Sequence, residues 1–491
     1  MTDEVQRLQK LLAEKEALIA KQAARLMFLE EQFRLAQQQR FGASSEGHPA
    51  QGDLFNEAEA ELDVALDASE TTVTTVNKKP VRKKLPSDLP RETIIHDIDD
   101  KTCTCCGNDL HQMGEERSEK LEFIPAQVKV IEHVRLKYSC RSCEKEGTST
   151  KIQLAPMPAS PIPKGIATAT LLSQIITSKY QYALPLYRQE SLFKQYGIEL
   201  SRKTMADWMI KSAALFTPLY QRLQAILLQQ GVIQADETTL KVISEDKIKS
   251  YMWLYCTGTD SPNNTPTPNI VLYDYQSGRA GQCAVDYLQD FTGYLQVDGY
   301  AGYEKTTATL VGCWAHARRK FIEAQTAQPK GKTGKADIAL SMIQKLYRLE
   351  ISLKDKSADD KYQQRQEKAK PLLEQFHQWL EKANVPPKTA LGAAITYCKN
   401  QWYKLIRYID DGHLTIDNNR AERAIKPFVI GRKNWLFSNT ANGANASAML
   451  YSIIETAKAN GLTPFDYVAH CLEQLSDQNA DIETLLPWNV K

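Results

Sequence analysis

Apolar residues recur at every seventh position along the first forty residues, a stretch that contains neither Gly nor Pro. The repeat positions are Val5, Leu12, Ile19, Leu26 and Phe33. Such a seam predicts a leucine-zipper-like coiled coil over residues 1–41, which would join at least two copies of the chain. An amphipathic helix packed on its own chain is the alternative.

The pattern changes several times after this first helix. Residues 42–90 combine an acidic half with a basic end and lack apolar periodicity, which is typical of a flexible linker. Residues 119–138 are rich in Val and Ile and favour strands, whereas residues 161–226 have helical patterns. Strand patterns follow at residues 231–243, 250–257, 269–275 and 293–298, with helices near 280–290 and after 312. This order is typical of a ribonuclease-H-like α/β core.

A helix-turn-helix motif is predicted within the helical segment. Residues 186–196 are amphipathic and end at a glycine, and Ser201 then provides an N-cap for a second helix. Arg202, Lys203 and Thr204 fall in the first turn of that helix, so they and Ser201 are candidates for contacts with DNA phosphates or base edges. An ordinary helical hairpin is the alternative.

Composition narrows the classes of protein. The 491 residues include 61 Lys and Arg against 59 Asp and Glu, a net charge of +2, so any nucleic-acid surface must be a local basic patch. The 42% apolar and 24% charged residues exclude a chain disordered throughout. We expect no membrane span and no signal peptide. The expected location is therefore the cytoplasm, with association to the nucleoid when DNA is bound.

Four cysteines form two pairs with C-x-x-C spacing. The pairs are Cys103 with Cys106 and Cys140 with Cys143. Each pair can supply two thiolates from a tight turn to one shared tetrahedral Zn²⁺. Residues 91–155 are therefore predicted to form a zinc ribbon around a structural zinc, with a hairpin between the pairs. Cys105 lies inside the first pair and leaves the choice of ligands there open. Unligated thiols are the alternative.

Two acidic residues interrupt or end apolar strands of the predicted core. Asp236 lies inside the strand pattern at 231–243, and Asp298 ends the one at 293–298. A carboxylate in such a position is costly unless it is paired or metal-bound, and hard oxygen ligands favour Mg²⁺ or Mn²⁺. Glu237 is expected to point to the opposite face of its strand. A structural hydrogen-bond acceptor is the alternative role for Asp236.

A third acid would complete a site for two metal ions. Glu422 lies near the start of a predicted helix between two arginines, and Asp417 is its rival, although Asp417 also suits an N-cap. The spacing alone does not choose Glu422, because an exposed helix glutamate beside cations has the same pattern.

A basic helix start follows the strands of the core. Arg318, Arg319 and Lys320 are candidates for a track of DNA phosphates, with a solvated helix face as the alternative. His316 precedes them and is either a donor to a scissile phosphate or a buried structural histidine.

The predicted fold class is thus multidomain, α/β plus α. The predicted parts are a coiled coil (1–41), a flexible linker (42–90), a zinc-binding domain (91–155), a helix-turn-helix domain (156–228), a ribonuclease-H-like core (229–440) with a helical insertion at about 325–412, and a C-terminal helical region (441–491).

Five sequence motifs together resemble one known family. They are residues 234–238 (QADET), 296–300 (QVDGY), 312–321 (GCWAHARRKF), 417–423 (DNNRAER) and 431–437 (GRKNWLF). The chain resembles, over nearly its whole length, the DDE-type transposases of the IS-sixty-six family of insertion sequences.

The resemblance implies a ribonuclease-H-like catalytic core in which Asp236, Asp298 and Glu422 bind Mg²⁺ or Mn²⁺. It further implies that the enzyme binds the terminal inverted repeats of its element, cleaves a strand at each end and joins the ends to target DNA. The zinc ligands implied are the four paired cysteines, and accessory proteins of the same element are implied partners. A DNA-binding regulator with an inactive core, a nuclease that only cleaves and a structural assembly protein are the competing interpretations.

Overall fold

A computed structural model describes most of the chain. The described residues are 2–41, 91–95, 120, 127–138, 152–245, 249–260, 262, 267–328, 334–477 and 479–490. Those of 1–65 and 156–491 form one compact unit, and those of 66–155 form another. The predicted linker at 42–90 and the four paired cysteines lie outside the described residues. Within the described ranges, no helix combines the length and apolar character that crossing a membrane requires.

The first helix, α1 (Thr2–Phe41), covers the heptad pattern. The repeat residues Leu12, Ile19, Leu26 and Phe33 are between 62% and 64% exposed. On another side of the helix, the buried Glu31 accepts a hydrogen bond of 2.8 Å from the backbone N–H of Ala390. The apolar seam is therefore open in the single chain, while a polar contact ties α1 to the helical part of the same unit.

The smaller unit contains one antiparallel pair of short strands, β1 (Lys137–Tyr138) and β2 (Gln153–Leu154). The prediction of strands throughout 119–138 is wrong for residues 127–136, which have no regular structure. Val130, for example, is 93% exposed there. Apolar side chains alone do not produce a strand when there is no paired strand and no packed face. The observed pair brackets the second cysteine pair in sequence rather than lying between the two pairs.

Four helices precede the large sheet. They are α2 (Ala169–Tyr180), α3 (Leu186–Gln195), α4 (Arg202–Leu215) and α5 (Thr217–Leu227). Gly197, with φ of +75°, supplies the left-handed turn after α3. The Ser201 hydroxyl caps α4 by accepting a 3.1 Å hydrogen bond from the N–H of Thr204. Met205 and Trp208 of α4 are buried against neighbouring elements. This packing holds the helix in place, while its first turn is exposed.

A five-stranded mixed sheet forms the centre of the unit. Its elements are β3 (Val232–Leu240), β4 (Ser250–Thr257), β5 (Ile270–Gln276), α6 (Gly281–Leu288), β6 (Tyr294–Gln296) and β7 (Thr309–Val311). The strand order is β5-β4-β3-β6-β7. β3, β4 and β5 are antiparallel neighbours, whereas β6 runs parallel to both β3 and β7. β7, whose three residues are too few to show alternation, had no counterpart among the predicted strands.

The chain then forms a helical region around a second hydrophobic core. Its elements are α7 (Trp314–Thr326), α8 (Lys335–Ser352), α9 (Ala358–Gln364), a π-helical turn (Arg365–Ala369), α10 (Lys370–Lys382), α11 (Ala390–Leu405) and a 3₁₀ turn (Ile406–Ile409). Trp314, Phe321 and Phe376 are fully buried in this core together with Val311 of β7. The helical region is thus built on the β7 edge of the sheet.

The last helices return to the sheet. They are α12 (Asn419–Trp435), α13 (Ala441–Ala459) and α14 (Pro464–Gln474), followed by a 3₁₀ turn (Ile482–Leu485). α13 covers the edge strand β5: the hydroxyl of Ser452 accepts the N–H of Tyr273, and the hydroxyl of Thr456 bonds both backbone groups of Val271. The helix thereby protects an edge that would otherwise be open to pairing.

Candidate active site

Asp236 and Asp298 lie side by side because of the register of two parallel strands. β3 and β6 pair through Gln234 and Gln296, and each aspartate comes two residues after its glutamine. Side chains two positions apart share a face of a sheet, so the two carboxylates lie on one face, Asp236 within β3 and Asp298 just beyond the end of β6. Asp298 accepts a 2.8 Å hydrogen bond from the N–H of Tyr300, which fixes its orientation beyond the strand.

The two glutamines themselves hold this register. Gln234 Nε2 donates to Gln296 Oε1 at 3.0 Å and to the Thr415 hydroxyl at 3.2 Å, and Gln296 Nε2 donates to the carbonyl of Thr415. This role of the two glutamines was not among the predictions from the sequence. The available signal was the repeated Q-x-D spacing, since buried amides in equivalent positions of two strands can pair only with each other or a third segment.

Glu422 reaches the site from the first turn of α12. The Asn418 side chain donates a 2.8 Å hydrogen bond to the carbonyl of Ala235, next to Asp236 on β3. Ile416 in turn accepts the N–H of Trp314 at 3.1 Å. These bonds dock the start of α12 on β3, and the Glu422 side chain is 2% exposed. The structure therefore brings Asp236, Asp298 and Glu422 into one group, called the acidic site below.

Asp417, the rival third acid, is occupied by local hydrogen bonds. Its Oδ1 accepts the backbone N–H of Asn419 at 3.2 Å, and its Oδ2 accepts the Asn419 side chain at 2.9 Å and the hydroxyl of Tyr347 at 3.3 Å. These bonds satisfy the first turn of α12 as a cap does. Asp417 is thus engaged in positioning the helix that carries Glu422.

Burial and neighbouring charges raise the pKa values of Asp236 and Glu422. Burial, followed by the charges of Glu237, Glu422 and Asp298, raises the pKa of Asp236 well above its ordinary value. Burial raises the pKa of Glu422 to about 8; Arg319 opposes this rise, and Asp417 and Asp298 add to it. A bound cation would relieve such repulsion, and the guanidinium of Arg319 lies 3.8 Å from Glu422 Oε2.

Glu237 takes no part in the acidic site, in agreement with its expected orientation. Its carboxylate pairs with Arg279 and accepts a 2.6 Å hydrogen bond from the hydroxyl of Tyr303. Arg279 also lies 3.8 Å from the ring centroid of Tyr300, which follows Asp298 by two residues. The opposite face of β3 thus supports the loop after β6.

The first turns of α7 face Glu422 from the other side. His316 Nδ1 lies 3.2 Å from Glu422 Oε1, and burial with the charges of Arg319 and Lys320 lowers the pKa of His316 to about 4. Arg318, Arg319 and Lys320 are all half-buried, and Lys320 Nζ lies 5.3 Å from the ring centroid of Tyr397. Partial exposure is compatible with both the phosphate track and the solvated helix face, so the role of these three residues towards DNA stays a prediction.

The remaining described candidates are those of the predicted helix-turn-helix. Ser201, Arg202 and Lys203 are exposed and Thr204 is half-buried, all at the start of α4. The Arg202 backbone N–H donates a 3.2 Å hydrogen bond to the Glu190 carboxylate of α3, which ties the start of α4 to the preceding helix. The paired cysteines lie outside the described residues, so the structure offers no geometry for zinc binding.

The acidic site has the donor set that hard divalent cations require. Asp236 and Asp298 each use Oδ1 to accept a neighbouring backbone N–H, which orients the other oxygen. Glu422 Oε2 is buried, and among the described residues it has no hydrogen-bond partner. Three carboxylates, one with an unsatisfied buried oxygen, are the kind of ligand that Mg²⁺ and Mn²⁺ prefer.

Comparison with known proteins identifies the family. Residues 164–446, which contain the whole acidic site, match the family model described as "Transposase IS66 family". The chain belongs to the IS66 transposase family. Residues 100–144 match the "zinc-finger binding domain of transposase IS66", residues 28–94 the "Transposase C of IS166 homeodomain" and residues 452–488 the "IS66 C-terminal element". The resemblance drawn from the five motifs is thereby confirmed.

Curated relatives of this IS66-family transposase occur in Sinorhizobium fredii. The uncharacterized protein y4jD is 35% identical over 83% of the chain and 81% of its own length. The uncharacterized protein y4hP is 33% identical over 88% of the chain and 82% of its own length. No solved structure matches the chain significantly. The zinc-finger match supports zinc binding by the segment that holds the paired cysteines.

Proposed function

We propose that the protein is a DDE transposase that binds the terminal inverted repeats of its element and catalyses metal-dependent strand cleavage and strand transfer. The observation that carries the proposal is the grouping of two half-buried aspartates, Asp236 and Asp298, with the buried Glu422 within the family-matching segment. Three convergent carboxylates are the donor set of phosphoryl-transfer sites that use two metal ions.

We further assign the core to the ribonuclease-H-like class. Three antiparallel strands followed by two parallel ones, in the order β5-β4-β3-β6-β7, support this assignment. So does the position of the acids, one on the central strand, one at the end of its parallel neighbour and one on a helix packed against the central strand. The helical region between Asp298 and Glu422 is then an insertion with its own core.

The chain's own residues have separate tasks in this mechanism. Asp236, Asp298 and Glu422 bind the metal ions, which supply Lewis-acid stabilisation of phosphate oxygens and activation of the nucleophile. Arg319, half-buried beside Glu422, offers a positive charge to a DNA phosphate. Water first attacks a phosphodiester at each element end and frees a 3′-hydroxyl. That hydroxyl then attacks a target phosphodiester, and the target's own 3′-oxygen leaves.

A cleavage-and-joining assay tests the proposed chemistry. With DNA carrying the element's ends in Mg²⁺ or Mn²⁺, wild type should cut and join, whereas Asp236→Asn and Asp298→Asn should lose both steps by about 10²-fold or more while still binding the ends. Asp274→Asn is the matched control, because Asp274 is a half-buried strand carboxylate on β5 outside the acidic site. Its activity should stay within about twofold of wild type.

Three outcomes would contradict the proposal in different ways. Cutting without joining would favour the nuclease. Binding of the ends without cutting, even with the element's accessory proteins added, would favour the regulator. Full activity in Asp236→Asn would remove the acidic site from the mechanism.

DNA recognition is assigned to the start of α4. Arg202 and Lys203 are exposed in the capped first turn of α4, and another side of this helix is buried. Exposed cations on an anchored helix suit contacts with DNA phosphates. Replacing both with Ala should weaken end binding by about tenfold and reduce the slope of log affinity against log salt by roughly two. Lys211→Ala, on the same helix but paired with Asp207, is the control. Unchanged affinity and slope in the double variant would move recognition to another segment.

Oligomerisation is assigned to α1. Its open seam, with Leu12, Ile19, Leu26 and Phe33 more than three-fifths exposed, fits a coiled coil that pairs two protomers and thereby two element ends. The structural Zn²⁺ is assigned to Cys103, Cys106, Cys140 and Cys143 within the zinc-finger match. Accessory proteins of the same element complete the proposed partners.

A further inference from the structure

A cysteine and a histidine also lie beside the acidic site. Cys313, the N-cap residue of α7, and His316, in the first turn of that helix, both face Glu422. The C-x-x-H spacing places the thiol and the imidazole on one side of the helix start, since positions three apart share a face. Glu422 comes from the first turn of α12, so two helix starts bring sulfur, nitrogen and oxygen donors together.

The separations between these donors suit a single small cation. Sγ of Cys313 lies 4.0 Å and Nδ1 of His316 lies 3.2 Å from Oε1 of Glu422, and all three atoms lie within 4.8 Å of one another. Tetrahedral Zn²⁺, with bonds of about 2.0–2.3 Å, needs donors roughly 3.3–3.6 Å apart. Shifts of a few tenths of an ångström, up to about one for the sulfur–nitrogen pair, would complete the geometry.

The donors are also available and rigidly held. His316 Nδ1 is buried, and its approach to Glu422 lacks hydrogen-bond geometry, so among the described residues it has no hydrogen-bond partner. The Cys313 sulfur accepts the backbone N–H of Asn418 at 3.2 Å, a bond that suits a thiolate ligand. Arg319 approaches Oε2 of Glu422, the oxygen that this group does not use.

We propose that Cys313, His316 and Glu422 form a second metal site of a different chemical class, which takes a borderline-soft divalent cation such as Zn²⁺, Co²⁺ or Cd²⁺. Thiol and imidazole donors select such ions, whereas the purely carboxylate donors of the acidic site select Mg²⁺ or Mn²⁺. Both sites draw on the one Glu422 carboxylate, through Oε1 here and Oε2 in the acidic site, so a cation in one site weakens the binding of a cation in the other by electrostatic repulsion. A soft ion bound here therefore weakens Mg²⁺ binding, and Zn²⁺ inhibits the Mg²⁺-dependent reaction; this last consequence rests on the proposed function.

Cobalt titration of the full-length, zinc-loaded protein tests the site without reference to activity. Tetrahedral Co²⁺ gives visible ligand-field bands, and one bound to a thiolate adds a near-ultraviolet charge-transfer band. Wild type should bind about one Co²⁺ per chain with both signals, while its zinc content stays unchanged. Cys313→Ser should lose the charge-transfer band, and His316→Gln should keep it with about tenfold or greater loss of Co²⁺ affinity.

Cys398→Ser is the matched control, because Cys398 is also a free, fully buried cysteine but lies on α11 in the second core. It should titrate as wild type does. A charge-transfer band that persists in Cys313→Ser, or no such band in wild type, overturns the proposed site. A band in wild type together with no joining activity under any condition would leave the site standing and contradict the proposed function instead.

The inhibitory consequence has its own measurement. Low micromolar free Zn²⁺, held by a metal buffer, should suppress joining by wild type in millimolar Mg²⁺, and removing the Zn²⁺ should restore it. Undiminished joining at a Zn²⁺ concentration that displaces Co²⁺ from the protein would show that the two sites do not share Glu422.

Discussion

Replacing Glu422 with Gln is expected to make the metal-free protein more stable above neutral pH while removing its metal-dependent strand transfer. Burial raises the pKa of Glu422 from 4.5 to about 8, so the folded protein binds the proton more tightly than the unfolded chain. The stability that this group contributes is full below pH 4.5 and is lost as pH rises towards 8. At pH 8 the loss is on the order of 3–4 kcal/mol.

Gln retains the shape of the side chain and has no charge to bury. The variant should therefore unfold at a higher temperature than wild type at pH 8, with the difference shrinking as pH falls to 5. Mg²⁺ should stabilise wild type more at pH 8 than at pH 6, because the ion binds the ionised carboxylate, and it should stabilise the variant much less. Strand transfer by the variant should fall by about 10²–10³-fold.

Thermal unfolding at several pH values, with and without Mg²⁺, checks the expected effects of pH and of Mg²⁺ on stability. Asp417→Asn serves for comparison, since Asp417 Oδ1 accepts the backbone N–H of Asn419 in the first turn of α12 and a weaker bond there should lower stability at pH 5, where Glu422 is neutral. A Glu422→Gln protein less stable than wild type at pH 8 without metal would mean that Glu422 is stabilised by a contact other than a metal ion.

Replacing Arg365 with Met is expected to destabilise the helical region by about 3–5 kcal/mol. Arg365 is buried at the start of the π-helical turn, and all five of its N–H groups are used. Two go to the Glu350 carboxylate at 2.6 Å and 3.0 Å, and three go to the backbone carbonyls of Tyr408, Asp411 and Leu414. Met would leave one buried charge and three carbonyls without their donor.

The site should respond as well, because residues 408–414 lead directly into Thr415 and the start of α12. Amide hydrogen exchange of α8 and α11, together with thermal unfolding, measures the effect, and joining activity should fall in parallel. Lys211→Met removes an exposed ion pair whose members are both 55% exposed and should cost under about 1 kcal/mol. Adding Glu350→Leu to Arg365→Met should recover part of the loss, because it removes the stranded carboxylate. Equal stability of Arg365→Met and Lys211→Met would contradict the assigned role.

Some of this arrangement could be predicted from the sequence because the signals are local. Asp236 interrupts an apolar strand and Asp298 ends one, and an unpaired buried charge is rare enough to point to a metal or a partner. Ser201 has a capping hydroxyl in the right place, and its hydrogen bond to Thr204 is observed. Runs of apolar and β-favouring residues also located β3, β4 and β5.

The rest depends on contacts between distant segments. Glu422 between two arginines resembles a solvated helix residue, and its burial follows from the bond between Asn418 and the carbonyl of Ala235, 183 positions away. The hydrogen bond from Gln234 to Gln296 needs the parallel register of two strands joined through α6, which no local pattern specifies. The side chains of Cys313 and His316 likewise meet Glu422 only because α7 and α12 begin at the same end of the sheet.

The register of the three paired residues of β6 also limits the insertions and deletions that homologous proteins can tolerate near Asp298. A single-residue insertion or deletion between residues 294 and 298 would turn Asp298 to the opposite face of the sheet, and a change of two residues would displace it by about 6.6 Å along the strand. By contrast, the connection between α7 and α8 carries no residue of the acidic site. Homologous copies should therefore differ in length between residues 327 and 334 while keeping the two aspartates at a constant distance from their glutamines.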